Sequence, residues 1–189
     1  MADIAPLIVR NETIGFDFSI PSEPITEIEF YNVQFTTYPV FPQHIAKLTF
    51  EQCHFPENDV VHFHEGLHTL RLGLQSAFLM HLPSSLHSLF IRKMQFSMFP
   101  ALPDTLKELR MIRVGSPVPS KFPESLVKLC ILECFWRTLP PFPTQLEVLL
   151  LDELDLDTLP PIPPSVIHYQ ECEIYVRDRS GNGFDLDPY

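Results

Sequence analysis

PSSLHSLFI (Pro83–Ile91), PDTLKELRM (Pro103–Met111), PESLVKLCI (Pro123–Ile131) and PTQLEVLLL (Pro143–Leu151) share one pattern, P-x-x-L-x-x-L-x-apolar, each copy starting twenty residues after the last. Four copies in one register mark an internal repeat, and a unit of this length cannot bury an apolar face alone, so it must stack on its neighbours. Followed outward, the frame meets a degenerate copy at Pro163 and earlier ones at Ser22, Pro42 and His64, eight copies over residues 22–176. Spacing breaks once: the unit from Pro42 runs 22 residues, and the one from His64 runs 19.

The second half of each unit repeats as well. An apolar residue follows the first half (Phe35, Phe55, Phe96, Trp136, Leu156), and an apolar-Pro-x-apolar closure follows that, beginning at Tyr38, Phe99, Leu139 and Leu159. Apolar residues two apart read as one face of a short strand. Prolines in the second half remove backbone donors and favour extended geometry over helix. The expected fold is therefore a solenoid: a curved parallel β-sheet on the concave side, and an extended, polyproline-like convex side with little helix.

With 45% hydrophobic residues and 16 Phe, a chain of 189 residues can fill a core despite its 20 Pro, whereas disordered Pro-rich chains lack such residues. A net charge of −11 argues against general affinity for nucleic acid or anionic lipid. Four irregularly spaced cysteines suggest no disulfide framework, and no apolar run reaches membrane-spanning length. The expectation is a soluble protein of the cytoplasm, including that of a host cell, with no cofactor and no membrane partner.

These repeats resemble the short bacterial leucine-rich repeats of the YopM and IpaH type, whose unit reads LPxxLxxLxVxxNxLxxLPxL. FNIP-type repeats are similar in LPSSL and FPESL but have a Phe-Asn pair that this chain lacks. The resemblance implies a leucine-rich-repeat fold. It departs in one respect throughout: the family's buried Asn is replaced by Val33, Cys53, Gln75, Met94, Val114, Cys134, Leu154 and Ile174. The family's helical N-terminal cap is also missing. Alternation of Ile14, Phe16, Phe18 and Ile20 suggests instead a β cap, a strand or hairpin, over residues 1–21. Residues 177–189 read as an acidic, flexible tail. Because the chain ends near the last repeat, where IpaH-type proteins continue into a ubiquitin-ligase domain, ligase activity is not expected.

Two motifs suggest other chemistry. HEGLH (His64–His68) spells the HExxH zinc-peptidase signature, but that chemistry needs both histidines one helical turn apart, and this register makes the segment extended around Gly66. Asp178, Ser180, Asn182 and Gly183 imitate the start of a calcium loop, yet Tyr189 stands where a bidentate Glu is needed. A zinc hydrolase or a truncated effector-type ligase is the competing class; the expectation is no catalysis and no metal.

Strand positions between the inward anchors face solvent on the sheet. There Arg71, Arg92, Lys93, Arg110, Arg113 and Lys128 gather in the middle, with glutamates toward the ends, alongside Phe90, Ile112, Leu132, Val148 and Leu150. From the third repeat strand to the seventh is about 19 Å at ~4.8 Å per strand, wide enough for a standard interface of roughly 800 Å² per partner. Apolar groups flanked by arginine are the composition of a binding hot spot. The predicted partner is a protein presenting an apolar segment with acidic neighbours. Nucleic acid fits less well, having only Phe90 and Tyr31 for stacking, and the oligomeric state is left open.

Overall fold

The computed structural model describes residues 5–15, 25–56, 60–73, 79–115, 117–177 and 183–185, with backbone alone at 79, 170–177 and 183–185. Each P-x-x-L opens as a tight turn closed by a hydrogen bond from the Leu N–H to the carbonyl of the first residue: Leu86 to Pro83 (3.2 Å), Leu106 to Pro103 (3.1 Å), Leu126 to Pro123 (3.1 Å), Leu146 to Pro143 (3.2 Å). Proline suits that first position because the turn takes only its carbonyl. A five-residue strand follows each of the first three turns, and a nine-residue strand follows the last.

The strands are β1 (Leu7–Arg10), β2 (Thr13–Ile14), β3 (Glu27–Tyr31), β4 (Gln34–Phe35), β5 (Lys47–Glu51), β6 (Val60–His62) and β7 (Thr69–Gly73). Then come β8 (Leu79–His81), β9 (Ser88–Arg92), β10 (Glu108–Ile112), β11 (Lys128–Leu132), β12 (Val148–Leu156), β13 (His168–Arg177) and β14 (Gly183–Asp185). Ten of them form one sheet in the order β1-β3-β5-β7-β9-β10-β11-β12-β13-β14. All neighbours in it are parallel except β13 and β14. Short parallel pairs, β2 with β4 and β6 with β8, form on the returning segments. No helix occurs among the described residues, and none is long and apolar enough to cross a membrane. The chain is a parallel β-solenoid.

Inward anchors of successive strands stack directly, as in Leu89, Leu109, Leu129 and Leu149, each at most 1% exposed. Early turns fill the same space with rings: Phe30 stacks on Phe50 at 5.2 Å and Phe35 on Phe55 at 4.7 Å. Later ones use Leu126, Leu146 and Trp136, whose indole N–H donates to the Gly115 carbonyl (3.3 Å).

Glu153 adopts a left-handed conformation inside β12 (φ 49°), and the residue directly after each of six strands, Asn11, Asn32, Gln52, Lys93, Arg113 and Glu133, does so with φ between 53° and 57°. That residue turns the chain off the sheet. No asparagine ladder is needed at the corner, because backbone groups of adjacent turns bond one another there: His54 N–H to the Val33 carbonyl (2.9 Å) and Gly115 N–H to the Met94 carbonyl (2.8 Å). Where the slot holds cysteine, the thiol joins in; Cys134 Sγ accepts from Val114 N–H at 3.4 Å and donates to the Leu132 carbonyl at 3.3 Å.

At the N-terminal end the β segment expected over residues 1–21 takes the form of strands, not a hairpin. Leu7–Arg10 pairs in parallel with β3, and Thr13–Ile14 with β4, so this segment continues the solenoid and is not a hairpin cap. Phe16, Phe18 and Ile20 lie outside the described residues. At the other end Gly183–Asp185 folds back antiparallel on Tyr175–Arg177, so this part of the expected flexible tail is ordered by pairing; Asp178, Ser180, Asn182 and Tyr189 of the calcium-like motif lie outside the described residues.

Candidate functional site on the sheet face

Because side chains alternate across a strand, the pleat and register line up side chains on the solvent side of the sheet in rows. The central row runs Glu29, Thr49, Arg71, Phe90, Arg110, Cys130, Leu150, each directly paired with the next. Phe90 sits between two guanidinium groups, Arg71 with its Cζ 6.0 Å from the ring centroid and Arg110 at 5.4 Å. Such contacts hold an arginine flat on a ring while leaving its N–H fork free for a carboxylate.

Beyond Arg110 the face becomes apolar. Cys130, Leu132, Val148 and Leu150 line a hollow of about 230 Å³ with Arg110, Lys128 and Glu108 also in its wall. These apolar side chains, like Phe90 and Ile112, are half-buried among their neighbours. Burial pushes the Cys130 thiol up from its ordinary value, opposed by the neighbouring Arg110. That direction favours the neutral thiol over the thiolate.

On the other side of Phe90 the face is polar. Glu29, Tyr31, Thr49, Glu51, Arg71 and Arg92 surround a second hollow of about 400 Å³. Tyr31 donates to Glu29 (2.9 Å) and stacks against Arg10 (4.4 Å). Gly73 provides room here, since a Cβ at that position would meet the Glu51 carboxylate at 2.2 Å.

Of the residues expected on this surface, Arg71, Phe90, Arg92, Arg110, Ile112, Lys128, Leu132, Val148 and Leu150 belong to strands of the sheet and share its solvent side. Lys93 and Arg113 do not share it. They are the left-handed residues that follow β9 and β10, and Arg113 is bound there to the Glu133 carboxylate. Acidic residues also reach the middle of the sheet, because Glu108 pairs with Lys128 at 3.8 Å and accepts from Ser88 at 3.3 Å. The basic centre is thus Arg71, Arg92 and Arg110, with Lys128 partly compensated.

HEGLH forms a turn and the approach to β7, with no helix to bring its histidines together. His64 Nδ1 accepts from Gly66 N–H (3.1 Å), while His68 Nδ1 lies 3.1 Å from the Ser85 carbonyl. Glu65 accepts from Ser84 N–H (3.3 Å) and Oγ (2.7 Å), bonds that draw its carboxyl below the usual range. Glu124 makes the same pair of bonds to Thr144, at 3.2 and 3.3 Å, so this glutamate is a clamp between turns. Among the described residues no group of three or more His, Cys, Asp or Glu is placed to hold a metal ion.

Hydroxyls at the third position of P-x-x-L form a further ladder that the apolar pattern did not reveal. Ser85, Ser125 and Ser165 donate to the carbonyls of Leu67 (2.8 Å), Leu106 (2.6 Å) and Leu146 (2.6 Å), and Thr105 to that of Leu86 (2.9 Å). The signal was the recurring Ser or Thr before the anchor Leu. No protein-family model matches the chain, and no curated protein is similar to it in sequence.

Proposed function

We propose that the chain is a leucine-rich-repeat module of the short bacterial type whose sheet face, the concave side of the solenoid, binds a partner protein without catalysis. The observation that carries this reading is the junction at Phe90 and Arg110, where stacked guanidinium groups adjoin the apolar hollow of Cys130, Leu132, Val148 and Leu150. An apolar side chain of the partner fills the hollow, and an acidic neighbour pairs with Arg71 or Arg110. Parallel strands fix these groups before binding, so little ordering entropy is lost.

The test replaces both halves of the junction. Arg110→Glu with Leu132→Asp leaves the inward anchors untouched, so the melting temperature should stay within a few degrees of wild type. Affinity capture and arrays of peptides with Leu or Phe flanked by Asp and Glu should both lose binding by at least about tenfold, the loss of a hot spot worth about 1.4 kcal/mol or more. Undiminished binding by the double variant overturns the surface, and stoichiometric zinc in the purified protein overturns the non-catalytic reading.

A further inference from the structure

At the irregular pair of turns where HEGLH lies, two positions depart from the repeat in the same way. Tyr38 occupies the closure slot held elsewhere by Phe99, Leu139 and Leu159, and His64 the turn slot held by proline in the copies starting at 42, 83, 103, 123, 143 and 163. Each exchange introduces a polar atom where the repeat has none. Both atoms, Tyr38 Oη and His64 Nε2, are shielded from bulk water and lack a hydrogen-bond partner among the described residues. Both residues line one cavity of about 240 Å³.

The protons on these atoms follow from their surroundings. Since Gly66 N–H donates to His64 Nδ1, the imidazole proton is on Nε2. Burial, then the nearby His44, holds the His64 pKa below its ordinary value against the pull of Glu65, and burial raises the Tyr38 phenol well above its own. At neutral pH the two residues that line the cavity therefore carry neutral donors, O–H and N–H, and a buried donor without an acceptor is unfavourable. Apolar groups complete the lining: Phe41, Val40 and Val60, the last two 92% and 42% exposed at its rim. His62, also at the rim, is stacked on His81 (4.7 Å), its partner across β6 and β8.

We infer that this cavity is a binding site for a small molecule with a carboxylate or carbonyl oxygen on an apolar body, the oxygen accepting from Tyr38 and His64 and the body lying against Phe41, Val40 and Val60. A carboxylate can take both donors at once, one on each oxygen. Neither donor atom touches bulk water in this structure, so binding requires neighbouring side chains to move aside. This site is on the returning segments, apart from the sheet face, and does not depend on the function proposed for that face.

Benzoate, benzamide and benzylammonium are suitable probes, sharing a ring and differing in the acceptor. Titrated into the full chain with the His64 ring nitrogens followed by NMR, benzoate or benzamide should shift those signals saturably, their ratio separating carboxylate from neutral carbonyl, and benzylammonium should not. Tyr38→Phe and His64→Pro restore the residues of the repeat. Each should weaken probe binding at least tenfold, read for both variants from the NMR signals of the probe itself, while the free variant melts at or above the wild-type temperature. Absence of any response to benzoate and benzamide, or equal binding by Tyr38→Phe, overturns the site. A lower melting temperature for Tyr38→Phe also overturns it, showing that resident water already satisfies the phenol.

Discussion

The turns before Pro83 and those after it are built on one plan but differ in filling and regularity. After Pro83, strand partners from β9 to β13 are spaced twenty residues apart, as in Glu108 with Lys128, and the anchors are leucines in register. Before it, Lys47 pairs with Thr69 and Thr69 with Ser88, spacings of 22 and 19 residues, and the interior is a cluster of Phe30, Phe35, Phe41, Phe50, Phe55 and Phe63. Aromatic rings tolerate an uneven stack because edge and stacked contacts are both favourable: Phe50 meets Phe30 nearly parallel (7°) and Phe55 edge-on (66°). Regular turns thus fix the fold. Irregular ones absorb a change in length and hold polar atoms that the repeat does not require.

Gly66 is where this difference can be broken most severely. A Cβ there would lie 1.8 Å from the Gln43 backbone carbonyl oxygen, and a backbone atom of a packed turn cannot yield as a flexible side chain would. The equivalent positions 85, 125 and 165 hold serine with a bonded hydroxyl, so the close approach is peculiar to the early turns. Gly66→Ala should cost about 4 kcal/mol or more, in the range of severe steric substitutions. Hydrogen exchange should show protection lost from β5 to β7 first, with β10 to β12 retained longer, as expected when each turn contacts only its neighbours. Uniform loss along the whole sheet would mean that the two regions do not differ in stability.

Most of the fold was legible because the period of the repeat and the period of the strand reinforce each other. Leu89, Leu109, Leu129 and Leu149 are both twenty residues apart and inward-facing, so one register located every later strand. Strand β1 was expected only as part of a β cap over residues 1–21 and was not located within it, because the single unit before Ser22 offers no second copy to align and the alternation at Ile14–Ile20 draws attention away from Leu7–Arg10. Lys93 and Arg113 stand apart from the other expected face residues, at the corners after β9 and β10. Alternation continued past the strand end gives them the parity of the inward anchors Leu89, Ile91, Leu109 and Met111, yet both are exposed where a positive φ turns the chain, and Lys and Arg are not residues from which a left-handed corner is read. Tyr38 and His64 were visible only as departures from the repeat. Their lack of partners is a three-dimensional fact.

Cysteine tests whether the two regions share one corner chemistry. Cys53 and Cys134 occupy the same slot, one in each region, and burial pushes both thiols from 9 up to about 11. With the folded-state pKa raised, the folded chain keeps protons that the unfolded chain has lost, so stability is full below about pH 9 and falls as pH rises through about 11. Denaturant midpoints measured from pH 8 to 11 should decline over that window. Cys53→Val should flatten the decline in β3 to β5, and Cys134→Val in β10 to β12, when each is followed by local hydrogen exchange. A decline that neither variant alters would show that other groups set the alkaline limit.

The smallest expected effect concerns the hydroxyl ladder, which the regular turns starting at 83, 103, 123 and 163 possess and the Gly66 turn lacks. Ser125 Oγ donates to the Leu106 carbonyl at 2.6 Å, and that bond spans two turns whose backbone is already fixed by the Val127 N–H to Lys107 carbonyl bond at 2.8 Å. Ser125→Ala should therefore lower stability by about 1 kcal/mol, the net value of one hydrogen bond, with no change in the slope of denaturant unfolding. Ser125→Gly adds the loss of a Cβ and should cost roughly 0.5–1 kcal/mol more. Position 66, where glycine is native and alanine is expected to be the damaging residue, should rank the same two residues in the opposite order. Agreement of the two positions in rank would remove the steric distinction on which the contrast between early and late turns depends.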